Sequence, residues 1–244
     1  MLRVKSVTKD MSALYCEPCT NSGQRRIQKM ANHVHFYVQF HQINDEARTK
    51  LKEMFGRIRE DAPHKWFSDI FVEGDLTYEE TEKYEWTTAN IGPKWSYFED
   101  YSAEEGDVYF NGESAWSSPQ QGLEMLLGIL VEYDPKIITS ISYEDEGPNF
   151  FGADIYDGEE LFDGIEYDYE ETIDLVINDS EQLTEESYVD EEWVDQEAED
   201  TFNEEMWEVI SNTQYSLIGE CEEVIRENQS DDLNSFKTSC NNLH

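Results

Sequence analysis

His33, His35 and His41 fall on one side of an alternating run, HVHFYVQFH, and imidazoles so spaced could serve as general bases or metal ligands. Same-side neighbours on a strand stand about 7 Å apart, so His33 and His35 would be adjacent. Local sequence fixes no Asp, Glu or Cys beside them. A polar sheet face covered by other segments is the plainer reading. Tyr37 belongs to the same run and Tyr109 to a later strand, places where two rings could stack nucleobases. That mode also needs cations to hold phosphates, and these strands carry almost none. CEPC, Cys16 to Cys19, could be half a zinc site or a redox pair. The spacing of His33 and His35 does not complete a zinc site, and no thioredoxin-like strand precedes the pair. Free thiols in a reducing compartment fit Cys16, Cys19, Cys221 and Cys240 better. Carboxylates are too abundant to single out: with 56 acidic residues, close pairs arise by chance. None is tied to a Gly-rich loop, a histidine base or a nucleophile elbow. DIYDGEE (154–160) lacks the spacing of an EF-hand loop. The residues therefore assign no catalytic group, metal or cofactor.

Charge narrows the partners. The 244 residues carry 17 Lys and Arg against 56 Asp and Glu, a formal net charge of −39. Such a chain repels phosphate backbones and anionic lipid, which argues against direct nucleic-acid or membrane binding and suits either solubility or a basic partner. The imbalance is uneven. Residues 1–30 hold six basic and two acidic residues, whereas residues 151–244 hold 30 acidic residues against Arg226 and Lys237. No apolar run approaches the roughly 18 residues of a membrane span, and the basic N-terminus lacks the apolar core of a secretory signal. A cytoplasmic protein is expected.

The elements that would position these residues begin near Met30. Residues 1–29 lack periodicity and read as an appended, disordered arm. After the first strand, Asn44 caps a helix with Asp45 and Glu46 in its first turn and Ala47, Leu51, Met54, Phe55 and Ile58 as its apolar stripe. Thr77 and Glu80 form a capping box for a helix running to about Asn90. Gly92 and Pro93 then stop it and turn the chain into a strand, KWSYFEDY, with Trp95 and Tyr97 on one face. Lys94, one of few cations, sits in that corner. SAEEGD is a turn and VYFNG the returning hairpin strand. Ser118, Pro119 and Gln121 predict a capped helix bearing Leu123, Leu126, Leu127 and Leu130. Two further strands, KIITSISY and FFGADIY, complete a ferredoxin-like β-α-β-β-α-β unit over residues 30–160 with one added helix and one added strand, an α+β fold. Trp86, Trp95 and Trp116 read as core and corner packing, so Trp116→Ala is expected to be strongly destabilising.

Beyond Asp157 the chain is acidic and without firm period: a flap, a hairpin or a disordered linker. From about residue 197 to 228, Phe202, Met206, Val209, Thr213, Leu217, Cys221 and Val224 predict a long amphipathic helix interrupted near Gly219, followed by a frayed end. Residues 161–244 are thus expected to form an acidic C-terminal region. A chain ending near Asp157 is expected to fold without it.

ANIGPKW (89–95), FNGESAWSSP (110–119) and YEDEGPNFFG (143–152) resemble the motifs of the YubB-like ferredoxin-like domain, carried by plasmids and bacteriophages. The family pattern resembles Asn-Trp-Gly-Thr-Lys-Trp, Phe-x-Thr-Ala-Trp-Ser-Pro-Pro and Tyr-Tyr-Glu-x-Gly with Phe-x-Gly. Ile91, Pro93 and Ser118 depart from it. MANHV at Met30 is similar to the family's usual start, which implies that residues 1–29 are an extension. The resemblance covers about residues 30–160 and implies a fold and a mobile-element origin, without an agreed activity. The expectation is a non-enzymatic accessory protein that binds a host or phage protein through His33, His35, Tyr37, His41, Lys94 and Tyr109. The acidic region would mimic nucleic acid towards a basic partner, or only keep the protein soluble. The alternative is a metal-assisted enzyme built on the histidine face.

Overall fold

In the computed structural model, residues 32–189 and 192–241 are described, the side chains of 231–241 excepted. The arm of residues 1–29, with Cys16 and Cys19, lies outside the described residues, as does the side chain of Cys240.

Strict alternation makes HVHFYVQFH the centre of a sheet. β1 (His33–Gln42) buries Val34, Phe36, Val38 and Phe40 and turns His35, Tyr37 and Gln39 outward. A bulge between Phe40 and Gln42 interrupts the ladder near its end. With β2 (Lys65–Trp66), β3 (Ser96–Glu104), β4 (Asp107–Ala115), β5 (Ile138–Asp145), β6 (Phe150–Asp157) and β7 (Glu160–Asp168), it forms a seven-stranded sheet in the order β2-β3-β4-β1-β5-β6-β7. Every neighbouring pair is antiparallel.

One face packs on α1 (Asp45–Phe55) and α4 (Gln120–Leu130). Asn44 caps α1 by accepting the Ala47 amide, and Ala47, Leu51, Met54, Phe55 and Ile58 are all buried. The apolar stretch after Pro63 is a 3-10 turn, Phe67–Phe71, whose Phe67 and Ile70 are fully buried. The capping box at Thr77 forms, but the helix it opens is only α2 (Tyr78–Thr81), and α3 (Tyr84–Asn90) follows after a break at Glu82 and Lys83. Gly92 adopts φ 103°, a conformation open to glycine, before Pro93. β3 extends through Glu104, so only Glu105 and Gly106 make the hairpin turn. α4 starts at Gln120 with Pro119 in the capping position and no side-chain cap, so Ser118 is buried without the predicted capping role.

The opposite face carries the C-terminal third. β7 pairs back on β6 as a hairpin, one of the three forms expected beyond Asp157, and α5 (Tyr169–Asp179) follows it. Asp168 and Glu171 close a capping box at the start of α5. β7 is an edge strand whose outward residues are mostly exposed, so it lacks a clean apolar period. α6 (Gln196–Asn241) runs without a break through Gly219, at which an added Cβ would meet nothing. Its buried stripe holds the expected Phe202, Met206, Val209 and Cys221, and otherwise lies on Ile210, Gln214, Ile218 and Ile225. Thr213 and Leu217 are half-buried and Val224 is exposed. Phe151, Ala153 and Ile155 of β6 meet these helices, while Tyr156 points to the α1–α4 side.

Two side chains on this frame have testable consequences. Trp116, expected inside, is 49% exposed and sits at φ 72°, after the chain leaves β4. The left-handed turn swings its indole out of the core, so Trp116→Ala opens no core cavity. It should change unfolding free energy by less than about 1 kcal/mol in urea titration. Asp154 is buried in β6 and accepts a hydrogen bond from Gln120 of α4. Burial pushes its carboxyl up to about 6, against a relief from Gln120 and further raising by Glu166 and Glu124. Because the folded value lies above the unfolded one, the native state holds the extra proton between about pH 4 and 6. Stability from this group is therefore greatest below that window and falls as pH rises through it. The cost above pH 6 is about 3 kcal/mol. Asp154→Asn keeps an acceptor for Gln120. Denaturant titrations from pH 4 to 7.5 should find it more stable than wild type near neutrality, with that fall removed.

Candidate functional site

α6 covers the β5–β7 half of its sheet face, leaving the β3–β4–β1 half with an uneven row of rings and carboxylates. Strand register builds the row. Glu113 stands directly opposite His35 on β1 and opposite Tyr97 on β3. Its carboxylate lies 2.6 Å from His33 Nδ1 and 3.8 Å from His35 Nδ1, and Tyr97 donates its hydroxyl to it at 2.5 Å. Burial alone would raise the pKa of Glu113, but the hydrogen bonds from Tyr97 and His33 outweigh it and hold the group below its usual value. The Tyr97 hydroxyl is raised, first by burial and then by Glu113.

Aromatic rings extend the row on both sides. Trp95 stacks on Tyr97 at 5.7 Å, as their shared face predicted, and meets the edge of His33 at 5.1 Å. Tyr37 and Tyr109 stack on each other at 5.8 Å. Tyr109 donates to Asp100 at 2.7 Å, and that bond pushes its hydroxyl up to about 12. A cavity of about 400 Å³ continues from His35 and Tyr37 to Glu144, Gln214 and Tyr215 below α6. Glu144 is raised by burial, with His35 and Gln214 opposing. Gln214, itself buried, donates to the Tyr143 and Gly152 carbonyls and pins the helix over β5 and β6.

The three histidines do not act as one group. His33 and His35 share Glu113. His41, at the bulge, lies beneath α6, within 2.7 Å of Ser140 Oγ and 3.1 Å of Glu222, and burial lowers its pKa. Lys94 lies apart, exposed, at a second cavity near the start of β3. Among the described residues, no group of three or more His, Cys, Asp or Glu side chains is placed to hold a metal ion. No described helix is long and apolar enough to cross a membrane.

Glu113 and Tyr97 were missed by local reading. Glu113 is brought to the histidines by antiparallel pairing across 80 residues, which spacing within one segment cannot express. The one sequence signal was indirect, since Glu113 falls inside FNGESAW. Chemically, a carboxylate between imidazoles and phenols, on a face rimmed by flat rings, suits contact with cations and hydrogen-bond donors. No protein-family model, curated protein or solved structure matches the chain.

Proposed function

We propose that this protein is a non-catalytic, phage- or plasmid-type accessory protein that binds a basic partner, such as a nucleic-acid-binding protein of the host, through a rigid acidic surface. The observation carrying this reading is the packing of α5 and α6. Phe202, Met206, Ile210, Ile218 and Ile225 are buried against neighbouring elements, so the outward carboxylates are held on a frame rather than on a solvated tail. Glu197, Glu204, Glu208, Glu220, Glu223 and Glu227 are among the exposed acids of α6. Fixed carboxylates can occupy the phosphate sites of a basic protein at little ordering cost. The YubB-like motifs support the mobile-element origin. The central order β3-β4-β1-β5, with α1 and α4 on one face, supports a ferredoxin-like reading of that unit.

Binding should weaken steeply between about 50 and 200 mM salt, and duplex DNA should compete for the same partner. The experiment titrates partners retained from bacterial lysate against wild type and a Glu204→Lys, Glu208→Lys, Glu223→Lys variant. These positions are exposed, so folding should persist. Binding that ignores salt, DNA and charge reversal would refute the reading.

A second reading, an enzyme using the histidine face, is favoured by one contact: His33 Nδ1 at 2.6 Å from Glu113, an arrangement able to orient a general base. Metal analysis of the purified protein and of the His33→Ala, His35→Ala variant decides it. Stoichiometric zinc or manganese, lost in the variant, would favour the enzyme.

A further inference from the structure

The corner at Gly92 and Pro93 borders a cavity of about 340 Å³, walled by Trp66, Tyr84 and Trp95 at the start of β3. One unsatisfied hydroxyl and one unpaired cation line it. Ser96 is 3% exposed, and its hydroxyl has no hydrogen-bond partner among the described residues. Buried hydroxyls are ordinarily paired, and an orphan one on a cavity wall is a place for a ligand atom. Lys94, also on the wall, makes no ion pair among the described residues, in a chain of net charge −39. By contrast Arg48, Lys50, Lys52, Arg57 and Arg59 all pair with carboxylates.

Glu82, the acidic group on the wall, is already matched. Arg59 contacts it while also forking onto the fully buried Asp69, with Nε at 3.0 Å and Nη2 at 2.8 Å. The same guanidinium lies 4.3 Å from the ring centre of Tyr78, which fixes its position. The uncommitted charge at the cavity is therefore positive. The distant carboxylates are screened within about 8 Å at physiological salt, so Lys94 governs the local preference.

We propose that this cavity binds a small planar aromatic ring bearing an acid group. The ring lies between Trp66, Tyr84 and Trp95, the acid meets Lys94, and a polar atom of the ligand satisfies Ser96. The volume falls within the range of small-molecule sites, and rings with a few convergent polar groups are their usual lining. This site is separate from the acidic surface and stands or falls independently of it.

The probes are indole-3-acetate and adenosine 5′-monophosphate, which place a carboxylate or a phosphate on a flat ring. Indole-3-acetamide, adenosine and the cation tryptamine are their counterparts. Binding is followed by the tryptophan indole N–H signals in two-dimensional NMR, assigned with Trp66→Phe and Trp95→Phe variants. At least one acid should saturate shifts at Trp66 and Trp95 with a dissociation constant of about 1 mM or tighter. Which acid does so tells carboxylate from phosphate. Its neutral counterpart should bind several-fold more weakly. Lys94→Gln, at an exposed position, should weaken the acid about tenfold without altering unfolding. Ser96→Ala should weaken it several-fold while leaving stability unchanged or raised, because the hydroxyl it removes is unpaired. No saturable shift with either acid, equal binding of the neutral compounds or tryptamine, or indifference to Lys94→Gln would overturn the proposal.

Discussion

Gly112→Ala is expected to cost about 4 kcal/mol or more, enough to unfold a protein of ordinary stability at physiological temperature. The reason is backbone, not side chain. A Cβ at this position would lie 1.9 Å from the Tyr97 carbonyl oxygen and 2.9 Å from its carbon, on the neighbouring strand. A flexible side chain could move away from such a contact, whereas a strand hydrogen-bonded on both sides cannot. Gly112 pairs with Phe36 of β1 and Phe98 of β3, immediately beside the irregularity between Phe98 and Asp100. Relieving the clash would push β3 away from β4 and break the row that joins Tyr97 to Glu113. Gly219→Ala is the contrasting case. At an exposed position of α6, with nothing near the added methyl, it should stabilise by about 0.5–1 kcal/mol through helix propensity. Urea titrations of both variants give opposite signs if the geometry is right. A Gly112→Ala protein as stable as wild type would show that β3 and β4 are not so closely apposed.

This glycine also marks how far the sequence could be read. Gly112 lies in FNGESAW and Gly152 in YEDEGPNFFG, motifs that stood out before any geometry was known. At Gly152 a Cβ would fall 2.4 Å from the Tyr143 hydroxyl and 2.6 Å from the Ile165 carbonyl oxygen, so this glycine too marks a close approach. The local elements were legible where one residue type signals one conformation: Asn44 as a cap, Gly92 as a positive-φ stop, the alternation of β1. Trp116 was misplaced because its left-handed backbone turn is invisible to a pattern of apolar spacing. The Tyr97–Glu113–His33 contacts were illegible for a different reason: they depend on which strands pair and in what register. β7 was legible only as one of three alternatives and α5 not at all, because acidic residues dilute a short apolar period, although Ile173 and Val176 are buried. The α6 stripe was legible, but three of its later positions were placed one residue early: Thr213, Leu217 and Val224 stand beside the buried Gln214, Ile218 and Ile225, while Cys221 is buried as expected.

A chain ending at Asp157 should not fold cooperatively, and this loss is expected to be the largest of all. Sequence alone suggested a self-sufficient unit of residues 30–160 followed by a dispensable acidic region. The packing argues otherwise. Truncation there removes β7, α5 and α6 and uncovers Ile138, Phe151, Ala153 and Ile155, all 0–1% exposed in the full chain. Side chains of this kind each contribute roughly 1.5–3 kcal/mol when buried, alanine less, so their exposure forfeits a sum comparable with the whole stability of a domain. β6 would also become a bare apolar edge, open to pairing with other copies. A chain ending after Ser230, by contrast, keeps Ile218, Cys221 and Ile225 in place and should retain its unfolding midpoint. Circular dichroism melts and sedimentation of the two truncations distinguish the cases. A monomeric, cooperative 1–157 fragment would mean that the acidic layer is a separable appendage, and the case for rigidly held carboxylates would fall with it. If instead only the longer chain folds, the acidic helix is part of the core. The binding role proposed for it is then tested by reversing charges on its outer face, since deleting it would destroy the frame that presents them.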